Sequence, residues 1–225
     1  MAKITIIMPT YRRYRWIQCA IESLLAQEME DWRLHVVSDG SDQEKRKVVE
    51  QYGDSRILYS ETEPTRGFGN WQRQYAILGV ETPWVGFLDD DDLVNHSYLE
   101  VLLTEQNIKA DMIRFGMVMG VLCTQRRHCE QIVQKASRMF ADGLTDLQKY
   151  KHWIPCLEST EAYDRSSRMG TGSFIVRKEL IQKHGWCLKN DPFSDWYSIA
   201  AMLAEKPVIA RISDCLYLAI RRPLE

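Results

Sequence analysis

Four consecutive aspartates occupy positions 89–92, directly after the apolar run 84–88. A short apolar run that ends at polar residues predicts a buried strand, so the carboxylates should leave a sheet together at its carboxyl end. Adjacent carboxylates repel and raise one another's pKa unless a positive charge lies between them. Mg²⁺ and Mn²⁺ suit such a cluster, because they need few protein carboxylates and complete their shell with water and phosphate oxygens. The tetrad therefore predicts a divalent-cation site that acts on phosphates.

The tetrad has two other interpretations, a solvated acidic surface and a calcium-binding loop. In extended backbone the first and third aspartates point to one side and the second and fourth to the other, so one pair can face a ligand. A solvated acidic surface is the common interpretation of such runs, but the strand-end position argues against it. A calcium loop beginning at Asp89 is excluded, because Leu93 stands where an oxygen ligand is needed and Val94 where glycine is needed.

Composition narrows the function classes. The net charge of -2 over 225 residues argues against a nucleic-acid partner bound by bulk electrostatics. The six cysteines form no CxxC pair and are predicted to be reduced, while a zinc site at Cys123, His128 and Cys129 matches no common spacing.

The run 4–8 is too short for a secretory signal, and the run 115–123 is too short to span a membrane. We expect a cytoplasmic protein, with peripheral membrane association left open.

The N-terminal half alternates between two hydrophobic periodicities. Strands are predicted at 4–8, 34–37, 57–59 and 84–88, with helical spacing between them. This β-α repetition predicts a parallel sheet with helices on its faces. Ligands of such sheets bind beyond the carboxyl ends of the strands. The segments after the strands are therefore expected to form the functional site.

Those segments contain motifs in a recognisable order. They are IIMPTY at 6–11, VSDGS at 37–41, RG at 66–67 with Arg73, and FLDDDD at 87–92. Together they resemble the family 2 glycosyltransferases, which have the GT-A fold. The resemblance implies an α/β chain with a Rossmann-like, mostly parallel central sheet, helices on both faces and a smaller C-terminal acceptor-side region. It also implies a single domain over 1–225, with a nucleotide-sugar-binding part at 1–107 and an acceptor-binding part at 108–225.

The resemblance implies donor-site roles residue by residue. Pro9, Thr10 and Tyr11 would line the nucleobase and ribose pocket. Asp39 would accept a hydrogen bond from the base, although Ser38 stands where the family often has another acid. The other residues assigned to the donor nucleotide are Arg13, Arg66, Gly67, Arg73, Asp89 and Asp90.

The family's DxD motif matches Asp89 and Asp91. The resemblance implies that Asp91 binds the Mn²⁺ or Mg²⁺ directly, while Asp89 reaches the ribose or the metal shell. Breaking a sugar–phosphate bond leaves negative charge on the diphosphate, which a metal there would stabilise. Arg73 is expected to help balance that charge, with a solvated helix cation as the equal alternative.

The C-terminal half contains a candidate base. Residues 193–199 resemble the family's acid-rich helix start, which follows a Gly-aromatic turn, here Gly185 and Trp186. Asp195 aligns with the catalytic carboxylate that takes the acceptor proton in a one-step inverting displacement. The segment 170–173 is similar to a small-residue turn near the acceptor, and a flexible turn before a strand is the alternative. Trp186 is expected in the core.

The helix start departs from the family pattern at two positions. Ser194 and Tyr197 replace acids that are frequent there. A purely structural interpretation makes Ser194 an N-cap and Asp195 a first-turn acid whose pKa the helix dipole lowers. If Asp195 is not the base, Asp191 and Asp164 are the next candidates.

The implied activity is metal-assisted, inverting transfer of a sugar from a nucleotide-diphosphate sugar to a saccharide or other hydroxyl acceptor, in polysaccharide or glycoconjugate biosynthesis. A non-catalytic nucleotide-sugar-binding protein is one alternative, which an intact Asp91 beside a damaged base motif would favour. A sugar nucleotidyltransferase is the other, but it needs a Gly-rich, Arg-containing phosphate loop where residues 9–11 stand.

Overall fold

A computed structural model describes residues 2–12, 16–65, 67–121, 160–162, 170–190 and 194–221. The strands in these ranges are β1 (Ile4–Thr10), β2 (Trp32–Asp39), β3 (Ile57–Thr62), β4 (Trp84–Phe87), β5 (Leu93–Val94), β6 (Met112–Val121), β7 (Thr160–Ala162), β8 (Phe174–Arg177) and β9 (Ile209–Arg221). The helices are α1 (Trp16–Leu25), α2 (Gln43–Glu50), α3 (Asn70–Leu78), α4 (Tyr98–Leu102), α5 (Lys178–His184) and α6 (Ser194–Leu203). No helix in this part of the chain is long and apolar enough to cross a bilayer.

One sheet joins these strands in the order β3-β2-β1-β4-β8-β6-β9-β5, and β7 pairs with β6. The first four strands run parallel, as the β-α repetition predicts, and Ile4 lies between Trp32 and Trp84. β8 then runs antiparallel to both β4 and β6, while β9 runs parallel to β6. The parallel half therefore brings the carboxyl ends of β1, β2 and β4 to one edge.

Helices cover both faces of the sheet. Alternate residues of β1 point to opposite sides, so Ile6 packs with α1 and α2 in one core cluster, whereas Ile7 packs with α3, α5 and α6 in another. In α1 the buried side chains Ile17, Ile21 and Leu24 recur at helical spacing and form the face that meets the sheet. The predicted α/β layering is confirmed.

Local signals set the element ends near the site. Asp42 caps α2, since its carboxylate accepts from the backbone N–H of Lys45 at 3.0 Å. Gly69 precedes α3 in the left-handed conformation, with φ of 73°, which glycine adopts without a side-chain penalty. β4 ends at Phe87, one residue earlier than predicted, although Leu88 still donates its N–H to Ile7.

The C-terminal strand connects the distant half of the chain to the tetrad. β5 immediately follows the aspartates and pairs antiparallel with β9, with Leu93 opposite Leu218 and Val94 opposite Tyr217. The N–H of Asn95 donates to the carbonyl of Leu216 at 2.9 Å. β9 thereby fixes the chain just beyond the four carboxylates.

Candidate active site

A cavity of about 430 Å³ opens where β1, β2 and β4 end. Its lining residues are Pro9, Thr10, Tyr11, Asp39, Gly67, Phe68, Gly69, Gln72, Arg73, Asp89 and Asp90. Every residue assigned to the donor nucleotide that the structure describes is in this set. Arg13 and Arg66 lie outside the described residues. The strand-end rule thus placed the pocket, but the motifs did not single out Phe68 or Gln72.

Asp39 is held at the end of β2 by neighbours on the next loop and on α3. Its Oδ1 accepts from the N–H of Thr65 at 2.6 Å, from the Thr65 hydroxyl at 3.1 Å and from Nε2 of Gln72 at 3.1 Å. Gln72 also donates to Thr62 at 2.8 Å. These bonds hold the Asp39 carboxylate in one orientation at the edge of the cavity.

The tetrad forms a turn rather than the extended backbone expected from the sequence, because the N–H of Asp92 donates to the carbonyl of Asp89 at 3.1 Å. Burial nevertheless alternates along it. Asp90 and Asp92 are buried, at 2% and 7% exposure. The hydroxyl of Thr10 donates to Asp90 at 2.6 Å, which ties the end of β1 to the end of β4. Asp89 and Asp91 are partly exposed, but the carboxylates that line the cavity are those of Asp89 and Asp90, and Asp91 lies outside its lining.

Arg73 supplies the positive charge beside these carboxylates. Its Nη2 donates to Asp89 Oδ1 at 2.5 Å, and its Nη1 donates to the carbonyl of Phe68 at 2.8 Å. The guanidinium carbon lies 5.3 Å from the ring centroid of Trp186. Arg73 is only 5% exposed, so the alternative of a solvated helix cation is wrong. Trp186 is buried in the core, as expected.

A second buried cation lies behind the cavity, and sequence reasoning missed it. Lys45 is 1% exposed, and its ammonium lies 3.6 Å from Asp42 and 3.4 Å from the hydroxyl of Ser38. Burial lowers the pKa of Lys45, while the charges of Asp42, Asp90 and Asp39 raise it. No local signal marks this lysine, because one cation in the first turn of a helix normally faces water.

Asp195 lies where the C-terminal half meets the carboxylate edge. Burial raises the pKa of its carboxyl, and the charge of Asp89 raises it further, whereas the N–H of Trp196, Arg73 and Thr171 lower it. The net direction is upward, so the expectation that the helix dipole would lower this pKa is wrong. Desolvation of the carboxyl is the largest cause of the upward shift of this pKa.

Ser194 connects α6 to α3. Its hydroxyl donates to Asn70 Oδ1 at 2.8 Å, and the same oxygen accepts from the indole of Trp186 at 3.1 Å. The amide of Asn70 in turn donates to the carbonyl of Lys189 at 2.9 Å. Ser194 is the first residue of α6 in the structure, so the N-cap interpretation is replaced by this link between the two halves of the chain.

Several sequence hypotheses fall outside the described residues. They concern the zinc candidates Cys123, His128 and Cys129 and the alternative bases Asp164 and Asp191. Cys19 and Cys187, which the structure does describe, are free thiols, as predicted. Within the described ranges, no group of three or more His, Cys, Asp or Glu side chains is arranged to hold a metal.

The chain is similar in sequence and in structure to known glycosyltransferases. Over 101 residues the chain is 32% identical to the Escherichia coli UDP-Glc:alpha-D-GlcNAc-diphosphoundecaprenol beta-1,3-glucosyltransferase WfgD, covering 45% of this chain and 40% of that protein. The structure of residues 1-349 of S. aureus TarS in complex with UDP-GlcNAc superposes with a TM-score of 0.70 at 19% identity, covering 99% of this chain and 60% of that TarS chain.

A third likeness is to the mannosyltransferase PcManGT from Pyrobaculum calidifontis in complex with GDP-Man and Mn²⁺. Its TM-score is 0.59 at 14% identity, and the match covers 97% of this chain and 56% of PcManGT. The structural likenesses confirm the expected GT-A fold. The chain spans less than half the length of the curated relatives it matches.

The sequence model of "Glycosyl transferase family 2" matches residues 5–148, which is more than half of the 225 residues. That match includes all four strand-end motifs and the whole cavity lining. The chain therefore belongs to glycosyl transferase family 2.

Proposed function

We propose that this chain transfers a sugar from a nucleotide-diphosphate sugar to an acceptor hydroxyl, with inversion and with the help of Mn²⁺ or Mg²⁺. The observation that carries the proposal is the cavity at the carboxyl ends of β1, β2 and β4, which is lined by the ion pair of Arg73 with Asp89. A cation held beside carboxylates at that edge suits the binding of a diphosphate together with a divalent metal.

The donor nucleotide is assigned to the cavity. Its volume of about 430 Å³ falls within the usual range for small-molecule sites. Tyr11 is 39% exposed at its rim and offers a ring face for the base, while Asp39 is fixed nearby as an acceptor. Arg73 is directed toward Asp89 and balances charge where the diphosphate would lie.

The metal is assigned to Asp91, with Asp89 beside it. Both are hard oxygen donors at the end of β4, and Mg²⁺ or Mn²⁺ commonly needs only one or two carboxylates alongside substrate phosphates. The bound metal would act as a Lewis acid for the leaving diphosphate. The Mn²⁺ in the PcManGT complex supports the assignment.

Asp195 is assigned as the general base that takes the proton of the acceptor hydroxyl. A raised pKa makes a carboxylate a better proton acceptor, provided that it is still ionised at the working pH. Thr171 Oγ1 donates to Asp195 Oδ2 at 3.4 Å, and the N–H of Trp196 donates to Oδ1 at 2.9 Å. These contacts orient the carboxylate and count against a non-catalytic binding protein.

We also propose that residues 1–107 bind the donor and residues 108–225 form the acceptor side of a single domain. The acceptor class that we favour is a saccharide, in polysaccharide or glycoconjugate biosynthesis. The name of the Escherichia coli relative specifies a diphosphoundecaprenol-linked acceptor, which supports a peripheral membrane association for this chain during catalysis.

A binding experiment tests the donor and metal assignments together. Thermal shifts with UDP, GDP and TDP, each with and without Mn²⁺, should identify a preferred nucleotide whose stabilisation needs the metal. Asp91→Asn should lose most of that metal-dependent shift while the ligand-free protein melts near the wild-type temperature, because Asp91 is partly exposed. Wild-type binding that survives chelation unchanged would remove the metal from the proposal.

A further inference from the structure

Tyr217 lies beneath the aspartate tetrad, in the middle of β9. It is opposite Val94 of β5 on one side and Met117 of β6 on the other. Its side chain is 1% exposed, so it does not line the cavity. Neither the motifs nor the family match draws attention to this residue, which is more than a hundred positions from the tetrad.

The hydroxyl of Tyr217 contacts both ends of the tetrad. It accepts a hydrogen bond from the backbone N–H of Asp89 at 3.1 Å and donates one to Asp92 Oδ2 at 2.7 Å. The N–H of Asp92 donates to the carbonyl of Asp89 at 3.1 Å and closes the turn. A tyrosine hydroxyl has one donor and can accept as well, so a single group satisfies the first and the last aspartate.

The hydroxyl of Tyr217 also satisfies a buried carboxylate. Asp92 is only 7% exposed, and the hydrogen bond from Tyr217 supplies a donor to its Oδ2. A buried carboxylate that accepts such a bond costs less free energy than one without it.

The ring of Tyr217 has no room to move. A Cβ atom added to Gly172 would lie 2.3 Å from the ring, so the turn before β8 packs its backbone directly on the tyrosine face. Gly172 belongs to the small-residue turn 170–173, and the neighbouring Thr171 contacts Asp195. This packing gives a physical reason for glycine in that turn and links both sides of the site to one side chain.

We propose that Tyr217 is a positioning residue that holds the turn between Asp89 and Asp92 so that Asp91 faces the metal. The inference rests on the proposed function, because it assumes that Asp91 binds the cation. Partners that orient a metal ligand typically change metal affinity by about 10–100-fold when they are removed. Tyr217 acts only through the turn, since it does not reach the cavity.

The test compares Tyr217→Phe with Tyr98→Phe. Tyr98 is equally buried, but its hydroxyl has no hydrogen-bond partner among the described residues, so the control removes an oxygen without breaking a bond. The Mn²⁺ concentration that gives half-maximal nucleotide stabilisation should rise about 10–100-fold in Tyr217→Phe. It should stay at the wild-type value in Tyr98→Phe. A purely structural role for Tyr217 would lower the melting temperature without this shift in metal requirement.

Amide hydrogen exchange provides a readout that does not depend on nucleotide. In Tyr217→Phe the N–H of Asp89 loses its acceptor, so exchange in the segment 88–92 should quicken, whereas Tyr98→Phe should leave it unchanged. Wild-type exchange in Tyr217→Phe together with a wild-type Mn²⁺ requirement would overturn the inference. If wild type binds no nucleotide at any Mn²⁺ concentration, the proposed function fails, and the exchange result still decides whether Tyr217 holds the turn.

Discussion

At the residue scale, Asp195 and Asp54 show how local surroundings set the sign of a carboxylate's contribution. Burial raises the pKa of Asp195, so the folded protein holds its proton more tightly than the unfolded chain does. Ionising it above the unfolded value of 3.8 therefore costs stability. Asp54 is the opposite case, because hydrogen bonds from Arg56 lower its pKa and its ionised form stabilises the fold.

These opposite signs give a prediction for Asp195→Asn. The variant should melt at a higher temperature than wild type at pH 7, because it removes a desolvated charge, and the difference should vanish below about pH 4, where both side chains are neutral. Transfer to the acceptor should fall roughly 10²–10⁴-fold, while donor binding persists. Melting curves and a sugar-transfer assay measure the two effects.

Asp54→Asn is the matched control for that prediction. It should lower the melting temperature at pH 7, since it removes a favourable pair with Arg56, and it should leave transfer unchanged because Asp54 lies away from the cavity. Near-normal transfer by Asp195→Asn would exclude this residue as the base. A lower melting temperature for Asp195→Asn at pH 7 would contradict the proposed cost of its charge.

At the element scale, the start of α3 packs closely against the end of β1 beside the cavity. Gly69 starts α3 in the left-handed conformation, and a Cβ there would lie 2.7 Å from Pro9 Cβ and 3.0 Å from Arg73 Nη1. Asn70 then joins the same helix end to Ser194 of α6. The first turn of α3 therefore holds the end of β1, the side chain of Arg73 and the start of α6 in fixed positions relative to one another.

Gly69→Ala should push the start of α3 away from the end of β1. The left-handed conformation alone costs alanine about 1–2 kcal/mol, and the clash with Pro9 adds about 1–3 kcal/mol of overpacking. Because the clash involves two cavity-lining residues, nucleotide affinity should fall together with stability. Urea denaturation and nucleotide titration of the same samples measure both.

Gly53→Ala is a control that measures the cost of the left-handed backbone without a steric clash. Gly53 has φ of 59°, also left-handed, but a Cβ there meets nothing within 4 Å. This control should therefore show the conformational cost without any change in nucleotide affinity. Equal destabilisation by the two substitutions, with affinity intact in both, would mean that α3 can move away from β1 without disturbing the cavity.

At the scale of the whole molecule, His35 couples folding stability to acid. It lies on β2 with its ring 6.2 Å from that of Tyr75 on α3, and its Nε2 lies 2.9 Å from the hydroxyl of Ser60. Burial lowers its pKa from 6.5 to about 4. The unfolded chain therefore binds a proton between these values that the folded protein does not, so stability falls as pH decreases through this window.

His35→Gln should flatten the pH dependence of unfolding. A shift of this size corresponds to roughly 3 kcal/mol of wild-type stability lost on acidification from neutral pH to below pH 4. The variant should lack that contribution, although other acid-sensitive groups remain in both proteins. Urea denaturation at pH 7.5, 6, 5 and 4 would measure the difference. Parallel curves for the two proteins would show that His35 titrates alike in the folded and unfolded states.

The sequence by itself determined the parallel half of the sheet and the edge of the sheet at which the cavity lies. Strand periodicity is local, and parallel strands connected by helices must bring their carboxyl ends to one edge. Short motifs at those ends therefore located Thr10, Asp39 and Asp89 around a common cavity before any contact was known. The turn that the tetrad forms was not predicted, because the sequence analysis assumed extended backbone there.

Only the tertiary structure decided the burial and contacts of Arg73, Lys45 and Tyr217 and the pKa of Asp195. Arg73 and Lys45 have ordinary helical surroundings in the sequence, yet packing buries both beside carboxylates. The raised pKa of Asp195 comes from desolvation by elements distant in the chain. Tyr217 reaches Asp89 across 128 positions. Burial and hydrogen bonding between such distant residues depend on which strands become neighbours in the sheet. No local pattern of residues predicts that β5 pairs with β9.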